Sequence, residues 1–483
     1  MSNSKELAKN AFWKYAELVS VSLVQILTTF ILARFLTPSD YGLIGMVIVF
    51  TTISNVFIES GFSQAIIREK DVTRADYSTV FYSNVFISII IYIILYCSSN
   101  AIAEFYHEPK LNEICRITFL ALPINACSIV QQAKLQREMQ FKKICIISII
   151  SVLVSSTIAI IIAYKTKNVW ALVLQNILII FCKTLLLWIT TDFIPLLKFS
   201  KESFVKYFKF SKNLLISSLI GTIFNNIYIL IIGRSYSATD LGLYSQADRI
   251  KNLASNTTTQ VIQSVSYPIL SKINNQTGNI KDAYKEIISI CIIFVGFIMS
   301  LLIGCAPDLF EFLMGGVQWR EAGIFFMLLG INGILYPLHC INQNILLVKG
   351  DSKTILWLEI IRRTTMIVIL LITLQFNIRF FVFGLSLYSA ILLFLNLYFC
   401  GKPIKYSIYE QLKDTLPIFL RFALIIVTTM VVCHILTKNI LIVRLTISLG
   451  IGTIVGLIIF WKQKSFQNMI MLVKSLLNEK RFK

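Results

Sequence analysis

Histidine is almost missing from this 483-residue chain, with only His107, His339 and His434, so a His-based metal or catalytic site has little material. Charge is equally scarce: 14% of residues are Asp, Glu, Lys or Arg, against about 25% in soluble domains. There is no G-x-x-x-x-G-K-[ST] segment, which excludes ATP hydrolysis of the P-loop kind. No Ser-His-Asp constellation, metal-ligand cluster or paired carboxylate stands out, so the sequence points to no catalytic residues, no metal and no cofactor. Ten cysteines are scattered without C-x-x-C or metal-ligand spacing, and most sit in apolar stretches. They read as small buried apolar residues. Polar segments long enough to hold a soluble domain are missing as well.

What is present is apolar. Hydrophobic residues make up 56% of the chain and the mean hydropathy is +0.74. A bilayer core needs roughly 20 apolar residues per helix. Spans fall near 11–33, 41–62, 77–99, 112–130, 144–163, 169–189, 211–233, 241–265, 286–306, 322–345, 354–374, 379–400, 416–436 and 440–461. The expected fold is therefore an all-α polytopic membrane protein of about 14 helices. The eighth span is weak by hydropathy, since 247–263 is largely polar.

An internal repeat supports that eighth span. Arg34 and Asp40-Tyr41-Gly42-Leu43 recur 200 residues later as Arg234 and Asp240-Leu241-Gly242-Leu243. A fixed offset of this size implies a multi-helix unit built twice. The halves are expected to be parallel, because an even number of helices per unit preserves orientation. Residues 1–200 would form an N-terminal lobe of helices 1–6, and 201–400 a C-terminal lobe of helices 7–12. Residues 401–483 would add two helices and a basic tail.

The formal net charge of +20 has a bland explanation in the positive-inside rule. With the N-terminus inside, the outer loops hold only Arg34, Lys110, Lys165, Lys167, Arg234, Arg320, Arg379 and Lys438. Both termini are thus expected in the cytoplasm, and no nucleic-acid partner is needed. The short outer loops also argue against a membrane polymerase or ligase, which needs room for reacting groups.

In the repeat itself, Ser39 and Thr239 suit helix N-caps, and Asp40 and Asp240 favour the positive end of the dipole. Arg34 and Arg234 end the preceding helices and can pair with those Asp residues. A turn-and-cap role competes with a gate role. Pro123 and Pro337, each read as mid-span, mark places for a bend.

Ionisable groups at mid-membrane cost about 2.5–3.5 kcal/mol on insertion scales and are functional candidates. The eighth span carries Arg249, Asn252, Asn256, Thr259, Gln260 and Gln263 at 3–4 spacing, flanked by Asp248 and Lys251. Such a stripe should line water or a cleft, unless an Asp248–Lys251 pair serves packing alone. Helix 11 bears Glu359, Arg362 and Arg363, where Glu359 can pair with either Arg. Helix 1 offers Lys14 and Glu17, although Lys14 is close enough to an end to snorkel. Arg116, Lys183 and Arg421 are read as interfacial. Asn225 and Asn226 suit either sugar contacts or helix–helix bonding.

Several ordered motifs resemble one family. They are 32–43 (LARFLTPSDYGL), 59–67 (ESGFSQAII), 135–143 (LQREMQFKK) and 242–249 (GLYSQADR). Across about residues 10–400 the chain resembles the Wzx-type polysaccharide flippases of the MATE-like exporter superfamily. The resemblance implies two MATE-like lobes and the movement of undecaprenyl-diphosphate-linked oligosaccharide units across the bacterial cytoplasmic membrane. Lipopolysaccharide O-antigen, capsule or exopolysaccharide assembly would follow, with a polymerase and a chain-length regulator as partners besides membrane lipids. A MATE-like cation-coupled drug exporter is the alternative. Guanidinium groups suit diphosphate, so Arg249, Lys251, Asn252, Asn256, Gln260, Arg362, Arg363 and Lys14 are the expected substrate-binding or cavity-lining residues. Asp248 and Glu359 are the expected coupling carboxylates.

Overall fold

The computed structural model describes residues 2–467 apart from 60, 70, 258, 260–265, 267–268, 275–278, 438–439 and 464. Among the described residues there is helix and no strand, as expected of a chain whose backbone must satisfy its own hydrogen bonds in lipid. Among the described residues, twelve helices are long and apolar enough to cross a membrane. The two expected spans outside that set are the charged ones near 241–265 and 354–374. The second is nevertheless a 22-residue helix, Ser352–Thr373, and fails only because it carries Glu359, Arg362 and Arg363.

By internal contacts the chain divides into two compact units, Met1–Gly242 and Leu243–Lys483. In the first, α1 (Ser2–Ala33) packs on α8 (Phe141–Thr166), and α8 on α9 (Trp170–Thr190). The helix α2 (Pro38–Glu59) packs on the long α10 (Lys201–Ser235). Short α3 (Phe62–Arg68) follows Gly61, whose φ of +70° turns the chain out of α2. Next come α4 (Arg74–Cys97), α5 (Ser99–Tyr106), α6 (Leu111–Thr118) and α7 (Ala121–Arg137), with α4 and α7 in contact. Phe62, Ile66, Tyr77, Phe81, Val130 and Tyr207 form an apolar cluster between α3, α4, α7 and α10.

Pro123 does not sit mid-helix. The fourth span is broken into α6 and α7, and Pro123 falls in the first turn of α7, where its missing N–H removes no helix bond. Pro337 does lie inside its helix.

The second unit contains the part of α11 (Ala238–Asn252) beyond Gly242. It continues with α12 (Ile280–Gly304), α13 (Ala306–Met314), α14 (Arg320–Val348), α15 (Ser352–Thr373) and α16 (Ile378–Gly401). The last two helices, α17 (Ile408–Ile435) and α18 (Leu441–Phe460), pack on each other, and α17 lies along α12. Arg444 on α18 is buried and donates to Asp308 Oδ1 of α13 at 2.7 Å, which fixes α18 against α13. Arg320 reaches the same carboxylate at 3.3 Å.

The repeated motif forms matching turns. Thr37 N and Oγ1 donate to Asp40 Oδ2 at 2.9 and 2.7 Å, and Asp40 N returns to Thr37 Oγ1. Ser237 and Asp240 make the same three bonds. The caps are therefore Thr37 and Ser237 rather than Ser39 and Thr239. A reciprocal capping box needs the cap three residues before its acid. Asp40 and Asp240 are occupied in this way, and among the described residues neither pairs with Arg34 or Arg234. Arg34 is exposed, while Arg234 contacts His107 and lies over the Phe105 ring of α5.

The motif glycines bring the two copies together. A methyl group on Gly42 would overlap the carbonyl of Ala238, and one on Gly242 would overlap the carbonyl of Pro38. Each copy thus places the first residue of its helix against the glycine of the other. Gly42→Ala or Gly242→Ala should lower thermal stability by about 2 kcal/mol or more, as overpacking does. Gly221→Ala and Gly450→Ala meet nothing within 4 Å and should be neutral or stabilising, because Ala is the better helix former. Thermal unfolding of the four variants in detergent separates the two pairs; equal behaviour would show that the crossing is not tight.

Candidate functional site

Three polar clusters stand in apolar surroundings. The first is on α11. Lys251 donates to Asp248 Oδ1 at 2.7 Å, and Asn252 Nδ2 to Asp248 Oδ2 at 2.8 Å. The Lys251 side chain is 8% exposed and its stem lies beside Gly333 of α14. The glycine admits the lysine, since a methyl there would come within 3.2 Å of Lys251 Cγ. One turn on, Ser255 Oγ donates to the carbonyl of Gly333 at 2.6 Å. The helix widens into a π turn at Leu253–Thr257, a form concentrated at functional places in helices. Arg249 is exposed beside this pair. Gln260 lies outside the described residues, as does the side chain of Asn256.

The Asp248–Lys251 pair weighed from the sequence does form, and it draws Asn252 in with it. Both carboxylate oxygens are occupied, so Asp248 holds two neighbours on its own helix.

The second cluster is on α15. Arg362 Nη1 donates to Glu359 Oε1 at 3.0 Å, and Arg363 Nε lies 3.6 Å from Glu359 Oε2. Glu359 thus faces both arginines at once, where the spacing allowed either. Arg362 Nη2 also donates to Asn396 Oδ1 of α16 at 2.9 Å. Asn396 Nδ2 then meets His339 Nδ1 of α14 at 2.8 Å, and His339 Nε2 meets Ser389 Oγ at 2.8 Å. The Arg362 Nε is buried with no partner. Sequence reasoning missed His339 and Asn396. They fall on two other helices, and a lone His or Asn in an apolar run carries no pattern.

The third cluster is in the first unit. Lys14 Nζ contacts Glu17 Oε2 at 2.9 Å, and Ser148 Oγ of α8 donates to Glu17 Oε1 at 2.8 Å. Lys183 of α9 lies within electrostatic reach of Glu17, Lys14 and Glu59. Lys183 is one of four charges gathered from α1, α2 and α9. Elsewhere Asn226 Nδ2 donates to Thr222 O of its own helix at 2.8 Å.

Taken together, the clusters are mixed-sign, with basic groups in slight excess, on a scaffold of MATE type. The chain belongs to the polysaccharide biosynthesis protein family, which it matches over residues 31–323. It is 26% identical to the teichuronic acid biosynthesis protein TuaB of Bacillus subtilis, over 73% of each chain. It is 22% identical to the lipopolysaccharide biosynthesis protein WzxC of Escherichia coli, over 69% of this chain and 68% of that one. Among solved structures it resembles the lipid II flippase MurJ in an inward closed conformation, with a TM-score of 0.70 at 14% identity. That match covers 93% of this chain and 99% of MurJ. An inward-facing multidrug resistance MATE transporter gives 0.63 at 13% identity, covering 80% and 94%. The fold is MATE-like, and the chain is a multi-pass membrane protein of the polysaccharide biosynthesis family.

The pair on α11 supplies a test of packing against function. Asp248→Asn leaves the Lys251 cation buried beside a neutral amide and should cost about 3–5 kcal/mol, as breaking a buried pair does. The double change Asp248→Asn with Lys251→Met should recover most of that loss in thermal unfolding. If transport returns with stability, the pair packs; if stability returns without transport, it does more.

Proposed function

We propose that the chain carries an undecaprenyl-diphosphate-linked oligosaccharide unit across the bacterial cytoplasmic membrane. The product would serve lipopolysaccharide O-antigen, capsule or exopolysaccharide assembly, and a polymerase and chain-length regulator would act on it next. The family match carries this reading, and the basic groups of α11 and α15 support it. In this reading the repeat divides the chain into lobes at 1–200 and 201–400, with 401–483 added and both termini cytoplasmic.

Arg249, Arg362 and Arg363 are assigned to the diphosphate, since guanidinium pairs bidentately with phosphate oxygens. Lys251, Asn252, Asn256 and Gln260 serve the sugar hydroxyls, and Lys14 is a further polar contact in the first unit. Asp248 or Glu359 takes the coupling cation. Arg34, Asp40, Arg234 and Asp240 shape the turn at which the two repeat copies cross. A MATE-like drug exporter is the weaker reading: a cationic substrate wants carboxylates in excess, and the clusters hold more Arg and Lys than Asp and Glu.

Depletion of the protein should leave lipid-linked oligosaccharide on the inner leaflet, measured in membranes labelled from one side. A normal distribution would refute the proposal. Arg249→Ala and Arg363→Ala should each cut export roughly tenfold, the scale of one lost charged contact of about 1.5 kcal/mol. Protein level should be unchanged. Wild-type export by both variants would return these residues to packing.

A further inference from the structure

The chain of bonds from Arg362 to Ser389 has one consistent direction. A guanidinium only donates, so Arg362 Nη2 fixes Oδ1 of Asn396 toward itself. The amide Nδ2 must then face His339, and a donor there requires Nδ1 of the imidazole to accept. Nδ1 therefore carries no proton, and Nε2 carries the only one, donated to Ser389 Oγ. Three helices are thereby wired to a neutral imidazole. Asn396 is fully buried and Ser389 almost so, which leaves the amide no water to turn toward.

A proton on Nδ1 reverses this order. Nδ1–H would oppose the Asn396 N–H, so the amide would have to turn its oxygen to His339 and its N–H groups to Arg362. Arg362 would then lose its acceptor and leave Asn396. Its Nε is already a buried donor with no partner, so a released guanidinium presents two unsatisfied edges to any anion that arrives.

We propose that His339 is a proton-binding site linked through Asn396 to Arg362, so that protonation and capture of an anionic phosphate ligand favour each other. This rests on the assignment of Arg362 to the diphosphate. Linkage is reciprocal: an anion that draws Arg362 away from Asn396 raises the proton affinity of His339 by the same factor. The proton comes from water, and no covalent bond is made. The net step is uptake of one proton and one anion.

The charged surroundings fit. Glu359 is the carboxylate that α15 brings near, and it is bound to Arg362 and Arg363. Around Arg362, α14 brings Cys340 with Tyr336 beside it, α16 brings Tyr388 and Cys400, and Cys291 of α12 stands near Cys340. All of these are neutral groups. Lys251 and Asp248 stand at Gly333, nearly two turns along α14 from His339, and they neutralise each other. Asp308 and Glu311 sit at the far end of α14, held by Arg320. Burial weighs most on His339 and the Arg362 charge next, so moving Arg362 changes its proton affinity.

The test uses 15N-histidine NMR of the full chain in detergent, with His339→Gln assigning the signal against His107 and His434. The parent should show a neutral, Nε2-protonated imidazole at neutral pH. In Asn396→Asp the carboxylate accepts from both sides, so the His339 midpoint should rise by about one pH unit or more. An unchanged midpoint in this near-isosteric variant overturns the relay. Inorganic pyrophosphate should raise the parent's midpoint and do so less in Asn396→Asp. If calorimetry shows pyrophosphate bound while the parent's midpoint stays put, the link to anions is overturned. If pyrophosphate does not bind at any pH, the assignment of the diphosphate to Arg362 falls, and the linkage with it.

Discussion

A polar group inside a bilayer must find its partner within the chain, and most of this structure follows from that requirement. Buried hydroxyls turn back on their own helices: Thr28 donates to Val24 O, Ser151 to Ile147 O and Thr429 to Ile425 O. Helix starts bring their own acceptors in the Thr37–Asp40 and Ser237–Asp240 boxes. Buried charges arrive in pairs or triads, at Arg444–Asp308, Lys251–Asp248 and Arg362–Glu359–Arg363.

Arg444 and Asp308 pair across two helices and act as a fastener, although the Arg444 Nε is itself buried without a partner. On α15 the accounts stay open: Arg362 serves Glu359 and Asn396 and still has a buried N–H left over. A helix that carries four charges in 22 residues gives up hydropathy that the twelve apolar helices keep. Transport chemistry is expected where that rule is broken, because a ligand can supply what the chain does not.

The fold was legible in the sequence to the extent that it is a matter of apolar length. Among the described residues the expected spans fall on helix, the fourth of them on two, and the charged helix at 352–373 is found despite its composition; the end of the span near 241–265 lies outside those residues. Local chemistry at i, i+3 and i, i+4 was legible too, in Asp248–Lys251 and Glu359–Arg362. Contacts between helices were not, since no local spacing joins Arg362 to Asn396 and His339, or Lys183 to Glu17 and Glu59. The caps were misplaced by two residues because hydroxyls on both sides of Pro38 and Ala238 can start a helix. Only the reciprocal bond from the acid chooses between them.

The crossing of Gly42 over Ala238 and of Gly242 over Pro38 ties two distant parts of one gene to each other. A side chain gained at 42 or 242 can be accommodated only if the backbone carbonyl at 238 or 38 retreats, so both glycines are held whatever side chains stand at 38 and 238. Each helix start thus sets the one residue type its counterpart tolerates at the crossing.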